Sequence, residues 1–340
     1  MIEKIDTTSE EKYKVSICIP IYNTSKDEIY DCLDSIKTCG LKPEDFEIVV
    51  IDDGSTEYDV LEYVESLKLK EAGFNIECYK HLKNEGLLEV RRSAINVAKG
   101  HYIYNLDSDD FLEPGVLGKV VEKYYNQDYD IIQMEYTELN NTDLASSDKK
   151  DNQHHIFSFD AKVTDDSQSL LRCFAVSNSV NSWVWAKLIK ASLYKSIYRT
   201  LPKMYLNYNE DWLQTFLLCK FAKSIISLPN YSVQYYCRSG MTRVKHQELR
   251  EEQLVQVLSY KKVMEIINPE NAKSEDLKNW IMAKHLHILL EIYSDILLGS
   301  TEENIQKFVK MFVDTFGIET VKSIDKIFKS IQEHPEWNIK

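Results

Sequence analysis

Gly100-His101-Tyr102-Ile103-Tyr104-Asn105-Leu106-Asp107-Ser108-Asp109-Asp110 joins a β-rich apolar run to a turn crowded with carboxylates. A strand ending in this way delivers its acids to one edge of a sheet. Upstream the pattern repeats. Residues 15–21 (VSICIPI), 46–51 and 75–79 read as strands, while 27–39, 58–69 and 87–98 carry apolar side chains at helical spacing, such as Ile29, Cys32, Leu33 and Ile36. Gly100 is read as marking the end of the helix before it. Unbroken strand-helix alternation predicts an α/β domain, a mostly parallel sheet with helices on both faces, whose ligands bind outside the carboxyl ends of the strands.

Two further acidic groups accompany the first. Asp52-Asp53-Gly54-Ser55-Thr56 follows strand 46–51, where a carboxylate accepts hydrogen bonds from a nucleobase imide or a ribose hydroxyl. The plain alternative is a D-G turn whose Ser or Thr caps the next helix. In Asp107-Ser108-Asp109, two carboxylates one residue apart can converge on a hard cation, leaving its other positions to water and a diphosphate. The alternative there is that Asp110 or Glu113 caps the helix after Pro114. Asn209-Glu210-Asp211-Trp212 opens an apolar helical run, where an acid also serves as a cap set favourably against the helix dipole. Order and spacing, more than any one group, separate a ligand site from three independent caps.

Composition narrows the field. The 340 residues show 44% hydrophobic and 28% charged side chains, which is ordinary for a globular protein and excludes a disordered or fibrous one. With 41 basic against 54 acidic residues the net charge is −13, which works against nucleic acid as a partner and against nonspecific binding to anionic lipid. Seven cysteines without a C-x-x-C pair suggest neither a disulfide framework nor a zinc ribbon, and most read as buried thiols. The start, MIEKIDTTSEEKYK, is polar, and no window is apolar enough for a transmembrane span. These features place the protein in a reducing cytoplasm.

Four segments are expected: a polar lead over 1–13, a nucleotide-binding half over 14–139, an acceptor-binding half of the same domain over 140–244, and a C-terminal helical module over 245–340. The boundary at 140–151 (NNTDLASSDKKD) is polar and free of aromatics. In the module, 248–267, 274–298, 302–316 and 319–332 all show helical periodicity. Apolar positions such as Leu286, Leu289, Leu290, Ile292, Tyr293, Ile296 and Leu297 exceed one stripe, so these helices either pack within the monomer or form a homo-oligomer contact. His154-His155 and His285-x-His287 lack ligand company and read as structural or exposed.

Together these motifs resemble the inverting, GT-A-type glycosyltransferases of family 2. Residues 15–23 (VSICIPIYN) are similar to that family's opening strand, Asp52 to Thr56 to its uridine-contacting turn, and Asn84-x-Gly86 to Arg91 to its asparagine-glycine-to-arginine segment. Residues 100–110 resemble its G-x-Y-I-x-x-L-D-S-D-D strand and metal turn. Trp185-Ala186-Lys187-Leu188 and Glu210-Asp211 match its acceptor-side signatures. The resemblance runs over about residues 14 to 240.

It implies a GT-A-type, Rossmann-like sheet and a nucleotide-sugar donor, with UDP as the nucleotide. Pro20, Tyr22, Asn23, Asp52, Asp53, Asn84, Arg91, Asp107 and Ser108 would line the nucleotide. Asp109, with Asp107, would hold Mn²⁺ or Mg²⁺. Asp211, with Glu210 beside it, would be the catalytic base. Trp183, Trp185, Lys187 and Trp212 would face a glycan acceptor, with core packing as the alternative for each, and Arg238 and Ser239 would close near the diphosphate, with a solvated loop as the alternative for Arg238. Lipid-linked acceptors would bring the protein to the inner face of the membrane as a peripheral visitor. The chain departs from the family at Val90-Arg91-Arg92-Ser93-Ala94, where A-R-N is usual. The processive members' Q-x-x-R-W is also absent, because Arg250 of Gln247-Glu248-Leu249-Arg250 is followed by Glu251, and this predicts single-sugar transfer. A nucleotide-dependent oxidoreductase is disfavoured because no G-x-G-x-x-G follows the first strand. A catalytically degenerate scaffold subunit is the standing alternative.

Overall fold

The computed structural model describes residues 11–139, 153–155, 162–163, 167–175, 180–207, 209–236, 251–299 and 302–333. The chain forms two compact units, 1–204 with 210–239 and 205–209 with 240–340. The expected boundary at 140–151 lies outside the described residues.

In the first unit, strands β1 (Tyr13–Ile21), β2 (Phe46–Asp52), β3 (Ile76–Lys80) and β4 (Gly100–Asn105) alternate with helices α1 (Lys26–Ile36), α2 (Val60–Ser66) and α3 (Leu87–Val97). There follow α4 (Val116–Tyr124), β5 (Ile131–Leu139), β6 (Gln153–His155), β7 (Lys162–Val163), α5 (Ser167–Ala175), β8 (Lys187–Lys190), α6 (Ala191–Thr200), α7 (Glu210–Phe221) and β9 (Ser224–Tyr236). Among the described residues the sheet has nine strands and runs β3-β2-β1-β4-β8-β5-β9-β7, with β6 paired to β5. The half β3-β2-β1-β4 is wholly parallel. β8 then runs antiparallel to both β4 and β5, and β9 returns parallel to β5.

The unbroken apolar run of β1 follows from its central place. Successive strand residues point to opposite faces, and here both faces are covered. Ile17 and Ile19 of β1 share a core with Ile29, Leu33, Val64 and Val120 of α1, α2 and α4. Cys18 is equally buried on the other side, where α3 packs on β1 and β2 and α6 on β4. Pro20 is tolerated in this central strand because the pairing with β4 ends below it, at Leu106 N–H donating to the Cys18 carbonyl (3.0 Å). A capping box starts α1: Ser25 Oγ accepts from Glu28 N–H (3.3 Å), and Glu28 Oε2 accepts from Ser25 N–H (3.1 Å).

Gly100 differs from expectation. It is no helix cap; α3 ends at Val97, and Gly100 begins β4 with its N–H donating to Ser16 Oγ (2.8 Å). A Cβ there would lie 2.4 Å from Ser16 N, so the position needs glycine for close approach of two backbones.

The second unit contains α8 (Glu251–Ile266), α9 (Glu275–Gly299), α10 (Glu302–Phe316) and α11 (Ile318–Glu333). Leu289 and Tyr293 of α9 are buried with Phe308, Phe312 and Ile324, while Leu286 stays exposed. His285 is structural, with Tyr260 Oη 2.9 Å from Nδ1 and the Ile267 carbonyl 2.8 Å from Nε2. No helix among the described residues is long and apolar enough to cross a membrane.

Candidate functional site

β1 is flanked by β2 on one side and β4 on the other, so the chain crosses over at β1 and leaves a crevice beyond the carboxyl ends of these strands. All three acidic groups lie in it or at its rim. Neither helix after an acidic turn takes its cap from that turn: α2 is capped by Asp59 and α4 by Gly115. The capping alternatives for Ser55, Thr56, Asp110 and Glu113 are therefore not what the chain does.

Asp53 is 2% exposed and held on both oxygens. Oδ1 accepts from Glu85 N–H (3.0 Å) and lies 2.6 Å from His81 Nδ1; Oδ2 accepts from Gly86 N–H (2.9 Å). His81 Nε2 lies 2.9 Å from Ser93 Oγ, and the Asp53 partner raises the imidazole above its ordinary pKa of 6.5. Asp52 accepts from Ser55 N–H (2.8 Å) and pairs with Lys80 (2.9 Å). Asn84 stands beside them with its Oδ1 buried and unpartnered. Gly54 fits the turn closely: its φ is +75°, and a Cβ would lie 2.6 Å from the Lys83 carbonyl carbon. Gly54→Ala is expected to cost about 3 kcal/mol from left-handed strain and overpacking, seen as a lower urea midpoint for the first unit.

The loop after β1 ties the crevice together. Tyr22 stands exposed at the strand exit. Asn23, at φ 51°, donates its N–H to Ser55 Oγ (2.9 Å) and accepts from Thr56 N–H (2.9 Å). Thr24 Oγ1 lies 2.7 Å from Ser108 Oγ, linking β1 to the turn after β4. That turn closes through Asp110 N–H donating to the Asp107 carbonyl (3.0 Å). Burial and the neighbouring Asp107 carboxylate push Asp109 up to about 7.

Arg91 joins the crevice to the third acidic group. Its guanidinium is 1% exposed and donates to Glu210 Oε1 (2.6 Å), Asp211 Oδ1 (2.5 Å) and Asp107 Oδ1 (2.9 Å). The resemblance placed Arg91 at the nucleotide; the structure gives its terminal nitrogens to three carboxylates. Glu210 and Asp211 lie in the first turn of α7, and burial raises both carboxyls, with Arg91 opposing the shift. The side chains of Asp107 and Asp211 keep 26% and 19% exposure, whereas Glu210 keeps 5%, so the first two open on the crevice.

The acceptor-side residues divide. Trp183 is half-buried and stacked on Trp185 (5.3 Å between centroids, 25° between planes), with Tyr136 edge-on to both. Trp185 and Trp212 are buried at 7% and 2% exposure, in keeping with the core-packing alternative for these two side chains. Lys187 is fully buried. Arg238 and Ser239 lie outside the described residues, as does the 247–250 segment. Sequence reading missed His81, Lys80 and Thr24. His81 directly follows β3, as the acid turns follow β2 and β4, and that position was the available signal.

Carboxylate turns at the ends of adjacent parallel strands, met by a helix-borne acid pair, define the GT-A-type transferase fold. The chain superposes on Staphylococcus aureus TarS 1–349 in complex with UDP-GlcNAc with a TM-score of 0.58 at 20% identity, covering 92% of this chain and 83% of that one. It also superposes on the mannosyltransferase PcManGT from Pyrobaculum calidifontis, in complex with GDP-Man and Mn²⁺ (TM-score 0.51, 12% identity, 98% and 85% covered). Residues 16–178 match the model of glycosyl transferase family 2. Over 100 residues the chain is 40% identical to a poly(ribitol-phosphate) beta-glucosyltransferase of Bacillus spizizenii, 29% of this chain and 15% of that protein. The chain spans less than half the length of the first curated relatives it matches.

Proposed function

We propose that the protein moves a single sugar from a UDP-sugar to a carbohydrate or lipid-linked glycan acceptor in cell-surface polysaccharide synthesis, with inversion at the anomeric carbon. The observation that carries this reading is the Arg91 tie, which brings Asp107 of the β4 turn and Asp211 of α7 to one guanidinium. In the same crevice Asp53, fixed in place by the Glu85 and Gly86 N–H groups and by His81, is suited to accept from a base imide, and Tyr22 offers a ring at the β1 exit. The names of the relatives agree in class: one glucosylates poly(ribitol phosphate) and one structural neighbour binds UDP-GlcNAc.

The residues present fit a divalent cation. Asp107 and Asp109 are hard oxygen donors, and burial together with the neighbouring Asp107 carboxylate holds the Asp109 carboxyl above its usual range, a penalty that a dication relieves. Among the described residues no cluster of three or more acid, His or Cys ligands is placed to hold a metal unaided, which suits an ion completed by diphosphate and water. Such an ion, when bound by Asp109 and Asp107, supplies positive charge against the departing diphosphate. Asp211, the more open of the acid pair, takes the acceptor hydroxyl's proton as that oxygen bonds to the anomeric carbon and the bond to diphosphate breaks on the opposite face. Arg91 holds the Asp211 carboxylate in place and opposes the upward pull of burial on its pKa.

A thermal-shift series tests this. UDP with Mn²⁺ is expected to raise the melting temperature by several degrees, since ligand at 100 times its Kd adds about 2.7 kcal/mol. Asp109→Ala should lose the metal-dependent part only. Stabilisation by NAD in place of UDP, or a UDP shift indifferent to Mn²⁺ in the native sequence, would refute the reading.

A further inference from the structure

Lys187 opens β8 with no exposed surface, and among the described residues no carboxylate forms an ion pair with it. A buried cation without a counter-ion is costly, and a methionine of similar volume would avoid the cost. All of its hydrogen bonds go instead to one short loop: Nζ donates to the Asn181 carbonyl (3.3 Å), to Asn181 Oδ1 and to the Trp183 carbonyl. Three donors meet three acceptors, so the ammonium is fully satisfied.

The same loop is held from every other side. Asn181 N–H donates to Gln133 Oε1 on β5 (3.1 Å), and Met134 N–H donates to the Ala186 carbonyl (2.8 Å). Trp185 bridges Asn105 at the end of β4, two residues before Asp107. Thr215 Oγ1 donates to the Ser182 carbonyl (2.8 Å). Thr215 lies four residues after Asp211 on α7, hence on the same helix face. Ala186 sits at φ 55°, a left-handed conformation that is strained for a non-glycine residue and persists only where its surroundings enforce it. The loop so enforced carries the stacked Trp183 and Trp185.

We infer that Lys187 is a positioning residue, which from inside the sheet fixes the Asn181-to-Ala186 loop and its tryptophan stack beside Asp211, on the side where the acceptor sugar must lie. The inference rests on the glycosyl-transfer reading and replaces direct acceptor contact by Lys187 with an action through the loop. Burial pushes the Lys187 ammonium down to about 7, opposed by the charges of Cys219 and Asp211.

Lys187→Met in the full chain tests it by three readouts: UDP affinity by calorimetry, the ratio of sugar transfer to glycan over transfer to water, and hydrogen exchange of the 182–186 amides. UDP affinity and transfer to water should stay within about twofold, transfer to glycan should fall at least about tenfold, and the loop amides should exchange faster. Thr215→Val, which releases the loop from the other side, should show the same pattern more weakly, and it decides the matter if Lys187→Met does not fold. Loss of glycan and water transfer in parallel, or unchanged loop exchange with unchanged glycan transfer, overturns the inference. If the native protein binds no UDP, the glycosyl-transfer reading has failed, and loop exchange in the variant still reports whether Lys187 pins the loop.

Discussion

Asp211→Asn should bind UDP as well as the native protein does and transfer sugar about 10³-fold more slowly. The amide keeps the shape and can still accept from Arg91, but it cannot take a proton from an alcohol. General-base assistance contributes about 10²- to 10⁴-fold, so loss of its middle value corresponds to about 4 kcal/mol of barrier. Single-turnover transfer with UDP-sugar, alongside calorimetry with UDP, separates the two effects. In the native protein, burial holds the Asp211 carboxyl above the usual range. The base must be ionised, so transfer should decline as pH falls through that raised value, at a higher pH than an exposed aspartate would give. Unchanged transfer by Asp211→Asn would remove this residue from the chemistry and leave Glu210, which is nearly sealed, as a poor substitute.

Arg91→Met should be the most destabilising single change in the crevice, at about 3–5 kcal/mol, because it strands buried carboxylates that shared one cation. The sign of its pH dependence is fixed by those carboxylates. Without the guanidinium the folded-state pKa values of Glu210 and Asp211 rise further above the unfolded ones, so stability is lost as pH rises and partly regained as they take up protons. Urea unfolding at pH 8 and pH 5.5 should therefore show a larger deficit at the higher pH. A deficit equal at both values would mean that Arg91 acts by packing alone.

The parallel half of the sheet was readable from the chain because its strands are central. Burial on both faces leaves runs such as VSICIPI, and each acid turn follows its strand directly. The antiparallel β8 was not readable. Its four residues, Lys187 to Lys190, carry charge at both ends, and a buried lysine that serves a loop looks in sequence like a surface residue. The Arg91 tie was hidden for a different reason, since its partners on α7 lie 119 and 120 residues away and no local pattern encodes their meeting. Trp185 and Trp212 show the limit of residue type as a guide, because an indole suited to stacking on sugar is equally suited to filling a core.

That sequence distance also sets an order of events on the ribosome. When Arg91 emerges, Asp107 follows within 16 residues, but Glu210 and Asp211 are not made until more than a hundred peptide bonds later. Through that interval Arg91 lacks its two α7 partners, so under the proposed mechanism the chain becomes competent for transfer only once α7 has been made and has docked.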